Sequence, residues 1–304
     1  MTKAEILETI ELRQSTLKTW LSCPLMYRFR HIDKLEPAFR YPGTVHGSAL
    51  HMVLKQLHEG EWNGSLRALY IKALNHYLYA SDESHIPVRW KRDMAKEIEA
   101  LTKNGVEILE NYRSKAYNRD AVVLFSEVQF RVKVLGYLFT GTIDQVRKNV
   151  DGSIELIDFK SSKMRPNQYA IPNDLQISLY QYSLKFGEVL VDDLWIKPSL
   201  MVTRAGIYFL RGHEVYKRKV TGKEIGDEKG DPFMMTKKTI QDLRAFRHEI
   251  RSQLSAMVKP WYYPNTASCN FCTYATHCVS RNDNVPEKDA DMAHELLAEL
   301  NMAS

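Results

Sequence analysis

Between residues 128 and 134 apolar and polar side chains alternate. Val128, Phe130, Val132 and Val134 fall on one side; Glu127, Gln129, Arg131 and Lys133 fall on the other. A period of two predicts a β-strand with one buried face. Residues 137–146 and 153–159 continue as strands, with Asp151-Gly152 as the turn between them. Upstream the period is helical. Ser15-Thr16 caps a helix through Leu17, Trp20 and Leu21 toward Cys23-Pro24. Gly43 and Gly47 mark a break, after which residues 48–57 predict a helix with Leu50, Val53, Leu54 and Leu57 on one side. Residues 66–79 repeat Leu66, Leu69, Tyr70, Ala73, Leu74 and Tyr77 at helical spacing. A polar interval, 81–92, precedes a helix through Met94, Ile98, Leu101 and Leu109.

Downstream, residues 174–186 return to helix, and 200–210 and 213–220 predict two strands joined at Arg211-Gly212. A long amphipathic helix over 240–258 is stopped by Pro260, and a short acidic tail helix follows around 289–300. The expectation is an α/β fold in which helices wrap one mixed sheet. Residues 1–120 form a mainly helical part, 121–220 a sheet with its helix, and 221–304 a helix, a cysteine cluster and the tail.

Composition changes this picture little. The chain has 304 residues, 44% of them hydrophobic and 26% charged, enough to bury a full core. A net charge of +5 is a mild excess that suits a polyanionic partner without requiring one. No stretch approaches the roughly 18 consecutive apolar residues of a membrane span. The charged first twelve residues lack a signal-type apolar run, so a cytoplasmic location without membrane association is expected.

The chemistry enters with Gly141-Thr142-Ile143-Asp144 and Ile157-Asp158-Phe159-Lys160. Asp158 and Lys160 are two apart, so on a strand both point to one face. Their neighbours Ile154, Leu156, Ile157 and Phe159 are residues a strand buries. A carboxylate and an ammonium buried there are costly unless a metal or another charge compensates them. Phosphodiester hydrolysis needs a divalent cation to neutralise the phosphate and acidify an attacking water. Asp144 and Asp158, with the backbone carbonyl of Phe159, supply hard oxygen ligands for Mg²⁺ or Mn²⁺, and Lys160 orients the nucleophile and stabilises charge. His51, one turn into its helix, adds an imidazole, which favours Mn²⁺. His46, His58 and His76 are expected to be surface or satisfied core residues. Gln176 and Tyr180, four apart, share one helix face after the Lys160 strand. Taken alone Asp-x-Lys is a weak signal, and an ordinary exposed pair is its bland alternative.

The ordered set His51, Asp144, Asp158-Phe159-Lys160 and Gln176-x-x-x-Tyr180 resembles the PD-(D/E)XK nuclease superfamily, in particular its RecB-like branch. The resemblance implies a restriction-endonuclease-like core forming a single nuclease domain over 1–304. It implies metal ligation by the histidine and both acids, water activation by the lysine, and substrate contacts from the glutamine–tyrosine helix.

Four cysteines remain: Cys23, Cys269, Cys272 and Cys278. One distant and three clustered thiols suit a metal centre that joins the two ends of the chain, whereas a zinc knuckle usually gathers two local pairs. Zinc stays open, with His277 as a spare ligand. The spacing, one early cysteine and then Cys-x₂-Cys-x₅-Cys, is similar to the RecB-like nucleases with an iron–sulfur cluster, such as AddB and the CRISPR-associated exonucleases. The resemblance implies a [4Fe–4S] cluster closing the C-terminal loop, and a phage or prokaryotic recombination or adaptation role.

The expected activity is metal-dependent exonucleolytic cleavage of DNA, on single strands or ends. Lys163, Arg165, Trp90-Lys91-Arg92, Tyr27-Arg28-Phe29-Arg30 and the basic face Arg244, Arg247, His248 and Arg251 are candidate contacts. No Gly-x-x-x-x-Gly-Lys-Ser/Thr phosphate loop occurs, so a helicase or recombination protein would act in trans, and a homo-oligomer is open. A non-catalytic DNA-end-binding partner is the alternative from another class, and an RNA nuclease is compatible with the same chemistry.

Overall fold

The structure, a computed structural model, describes residues 12–60, 64–115, 120–162, 168–211, 217–220, 223–226, 232–257 and 262–278. Lys163, Arg165, the tail helix around 289–300 and the start of the strand expected over 213–220 lie outside the described residues.

The helical first part contains α1 (Gln14–Ser22), the short α2 (Pro24–Tyr27) continuing into a π-helical turn (Arg28–Ile32), α3 (Pro42–His58), α4 (Leu66–Tyr79) and α5 (Met94–Lys115). Gly43 and Gly47 mark no break, contrary to expectation; both lie inside α3. Pro42 opens that helix at its first position, where a missing N–H costs nothing and a fixed φ suits the turn. Gly47 serves close packing, since a Cβ there would sit 3.3 Å from the Ser161 hydroxyl.

Strands β1 (Val122–Val134) and β2 (Tyr137–Lys148) form a long antiparallel hairpin. Its turn, Leu135-Gly136, has positive φ at both residues, the geometry that matches strand twist in two-residue hairpins. Next come β3 (Ile154–Lys160), a 3₁₀ turn (Gln168–Asn173), α6 (Leu175–Phe186), β4 (Glu188–Val191), β5 (Leu194–Ile196), β6 (Arg204–Phe209), β9 (Phe233–Lys237) and α7 (Ile240–Met257). A separate hairpin joins β7 (Lys217–Val220) and β8 (Lys223–Gly226). The strand expected from residue 200 begins only at Arg204, and the β4–β5 hairpin and β9 were not foreseen in the pattern.

The seven-stranded sheet runs β5-β4-β1-β2-β3-β6-β9. It is mixed: β3 and β6 are parallel, and its other pairs are antiparallel. Each face is buried. Leu17, Trp20, Leu179, Phe246 and Leu254 from α1, α6 and α7 pack with Phe130, Val132 and Leu156. Leu50, Leu54, Tyr70 and Leu109 from α3, α4 and α5 pack with Ile157, Phe159 and Tyr208 on the opposite side. Consecutive residues of β3 thus enter different cores, which fixes the face that Asp158 and Lys160 share with Leu156. Among the described residues no helix is long and apolar enough to cross a membrane.

Candidate active site

Asp158 stands in the middle of β3 at 1% exposure. Its Oδ2 lies 2.7 Å from the Lys160 ammonium, and its Oδ1 is buried without a hydrogen-bond partner. The Lys160 Nζ also donates to Gln176 Oε1 at 3.1 Å, and Gln176 Nε2 donates to the Tyr180 hydroxyl at 2.7 Å. Asp174 caps α6 by accepting from the Ile177 N–H at 2.9 Å, and the four-residue spacing then aligns Gln176 and Tyr180 toward β3. The expected set Asp158, Lys160, Gln176 and Tyr180 is therefore one connected chain of side chains.

Asp144 comes from β2. Its Oδ2 accepts the Phe159 backbone N–H at 2.7 Å, which ties the two acid-bearing strands together. Gly141, three residues earlier, faces the Phe130 ring so closely that a Cβ would lie 2.8 Å from it. The Phe159 side chain turns away from the acids and packs against His58, Tyr112 and Tyr208.

His51 reaches in from α3. Its Nδ1 lies 2.8 Å from Glu127 Oε1 and 3.7 Å from Asp144 Oδ2. Ligand atoms of His51, Glu127 and Asp144 all fall within 4.8 Å of one another, the one such grouping among the described residues. Glu127 corrects the sequence reading, which set it on the polar side of β1 with Gln129, Arg131 and Lys133. Its φ of +46° breaks the regular pleat, and the core parity changes there: Val128 and Ile143 point into the same core as Val146. The signal that could have found it is an acid directly opposite Asp144 in the hairpin register, between the pairs Ser126–Gln145 and Val128–Ile143.

The electrostatics suit a divalent cation. Burial raises both the Asp144 and Asp158 carboxyls: His51 and then Lys160 draw Asp144 down against Glu127, and Lys160 draws Asp158 down against Asp144. Burial disfavours a proton on His51, yet Asp144, Glu127 and Asp158 together hold its pKa up at about 9. A divalent ion would replace that proton and satisfy the acids. Tyr180 is pushed well up by burial and by the same acids, so it is a neutral hydrogen-bonding group.

His46 and His58 are buried core residues, each bonded to a tyrosine, Tyr70 at 2.6 Å and Tyr112 at 2.9 Å. Of the aromatic–basic candidates, Arg28 pairs with Asp33 and Phe29 packs against Tyr274 and His277.

The four cysteines line one small apolar cavity with Leu25, Met26, Phe29 and Pro264. Backbone and side-chain bonds hold the segments together: the Leu25 N–H donates to Tyr263 O, Ala38 to Thr273 O, and Asn265 Nδ2 and Ser268 Oγ both donate to Ser22 O. Burial, and then the other three thiols, push the Cys272 thiol up.

No curated protein matches the chain. Among solved structures, a presumed exonuclease from Eubacterium rectale shares 11% identity over 90% of each chain, with a TM-score of 0.48. The protein SSO0001 shares 13% over 90% of this chain and 96% of its own, with a TM-score of 0.31. The family model for the PD-(D/E)XK nuclease superfamily matches residues 11–279, and with most of its length so covered the chain belongs to that superfamily.

Proposed function

We propose that the protein is a single nuclease unit that hydrolyses DNA phosphodiester bonds, exonucleolytically, on single strands or frayed ends. The observation that carries this reading is the buried Asp158, paired with a half-buried Lys160 and set beside the His51, Glu127 and Asp144 grouping. The donor set, one imidazole and hard carboxylate oxygens, fits Mn²⁺ or Mg²⁺. His51, Glu127, Asp144 and Asp158, with the Phe159 carbonyl, would hold the ion. Bound there, it neutralises the scissile phosphate and makes a water acidic enough to attack.

The chain's own residues do the rest. Asp158 Oδ1, buried without a donor, would be available to accept from an attacking water. Lys160, fixed between Asp158 and Gln176, presents its ammonium to the phosphate oxygens, where charge grows in the transition state. Tyr180 holds Gln176, and Gln176 holds Lys160. A protein that only bound DNA ends would gain nothing from three carboxylates facing a phosphate, which disfavours the non-catalytic alternative. The test is a digestion time course on end-labelled single and double strands with Mn²⁺, Mg²⁺ or EDTA. Cleavage should require the metal and vanish in Asp158→Asn; binding without cleavage in any divalent ion would establish the binder instead.

A [4Fe–4S] cluster held by Cys23, Cys269, Cys272 and Cys278 completes the proposal. The four thiols converge on one apolar cavity, and Cys272 feels the other three. A cluster binds its four ligands through separate irons, and the apolar lining suits it. Anaerobically purified protein should be brown, with broad absorbance near about 400 nm; colourless, zinc-loaded, fully active protein would overturn the assignment.

A further inference from the structure

A cavity of about 550 Å³ opens between the start of α3 and the end of α4. Two of its walls belong to the surroundings of the metal-binding set. Ser48 lies three residues before His51, on the same face of α3 and one turn away. The Tyr77 phenol is raised by burial and then by the Glu127 carboxylate, so it stands in that acid's field.

Arg40 lines the cavity at 7% exposure. Its Nε donates to Ile86 O at 3.0 Å and its Nη1 to Tyr77 O at 2.9 Å. Its backbone is fixed too, donating to Pro87 O and accepting from the Arg89 N–H. A guanidinium has five N–H donors, so these bonds leave most of them for another acceptor. Among the described residues no carboxylate forms an ion pair with it, and a buried cation without an anion is costly. Thr44 and Ser48 add hydroxyls. Asp82 and Glu83, both exposed, add carboxylate acceptors to the lining.

A buried cation with hydroxyls beside it and carboxylates toward solvent matches a nucleotide. The phosphate takes the guanidinium and hydroxyls, while a base amino group donates to a carboxylate. The volume lies within the roughly 300–1,000 Å³ of small-molecule sites. We propose that this cavity is a nucleotide subsite that holds one nucleotide of the substrate strand beside the bond cut at the metal-binding set. The proposal rests on the nuclease reading above.

Ala80→Trp tests it, because Ala80 lines the cavity from an exposed position after α4 and touches no catalytic group; Ser81→Trp is the second variant, and thermal melting confirms that each folds. Fluorescence anisotropy with a single-stranded oligonucleotide in EDTA reads binding without metal, and steady-state cleavage in Mn²⁺ separates KM from kcat. Filling the cavity should raise Kd and KM roughly 10-fold or more with kcat at saturation unchanged. Circular single strands and 5′- or 3′-phosphorylated linear strands identify the source. Weakening on circles shows an internal nucleotide, and weakening confined to a phosphorylated end shows a terminal one; both support the subsite. Unchanged Kd and KM in folded variants of an active enzyme overturn the subsite alone, while a wild type that cuts in no divalent ion overturns the nuclease reading and the subsite with it.

Discussion

Glu127 occupies a left-handed backbone conformation in mid-strand, where a non-glycine residue pays about 1–2 kcal/mol. That cost is retained at a position that turns a carboxylate onto His51. Glu127→Gly should therefore leave the melting temperature unchanged or raised, since it relieves the backbone and removes one of three crowded acids. The same change should raise the Mn²⁺ concentration needed for half-maximal cleavage roughly 10–100-fold, the scale on which metal-site partners act. Calorimetry and a metal titration of cleavage check both halves. Lys160→Met behaves differently. It strands Asp158 as an uncompensated buried charge, costing about 3 kcal/mol at neutral pH and on the order of 10²–10³ in kcat. Urea unfolding at pH 8 and pH 6 should show that loss shrinking at the lower pH, because protonating Asp158 removes the orphaned charge.

At the scale of elements, the pattern made some features legible and hid others for physical reasons. Strict alternation showed β1, and the runs that follow it showed β2 and β3 and with them the shared face of Asp158 and Lys160. The same alternation hid Glu127, because a single positive φ changes which way a side chain points without changing the sequence period. The strands β4, β5 and β9 are three to five residues long, too short for a period to declare itself. The π-helical turn Arg28–Ile32 was equally silent. In it, His31 is held near a pKa of about 4 by burial and then by Arg30, against 6.5 unfolded, with its Nε2 buried and unpartnered. Above the unfolded value the imidazole is neutral in both states; as pH falls from 6.5 toward 4 the unfolded chain gains the proton first and the fold loses stability. Wild type should thus lose more melting temperature between pH 7 and pH 5 than His31→Phe, which keeps the ring on Tyr27.

Across the whole molecule, the cysteine spacing made a link between distant parts of the chain legible in the sequence. What holds them, beyond the thiols, is a set of bonds from residues 263–273 to residues 22–38, and those bonds carry no sequence signature. Cys23→Ser should therefore loosen the 262–278 segment without dissolving the sheet. Limited proteolysis should clip that segment faster, while circular dichroism of the core stays unchanged. Sequence also gave no hint of the cavity at Arg40, because its lining is spread from Arg40 to Glu83 over a helix pair and a loop.

The parallel pairing of β3 with β6 sets an order of events during synthesis. Asp158 and Lys160 lie opposite Ile207 and Phe209, some fifty residues later, and β6 in turn is bordered by β9. Parallel partners close only after the whole crossover between them exists, and such distant pairings form slowly. A ribosome-bound chain thus carries its acids and its lysine for much of translation without the rigid frame that aligns them. The frame that aligns these residues is complete only once β6 and β9 have both emerged, so a chain made no further than β3 lacks it.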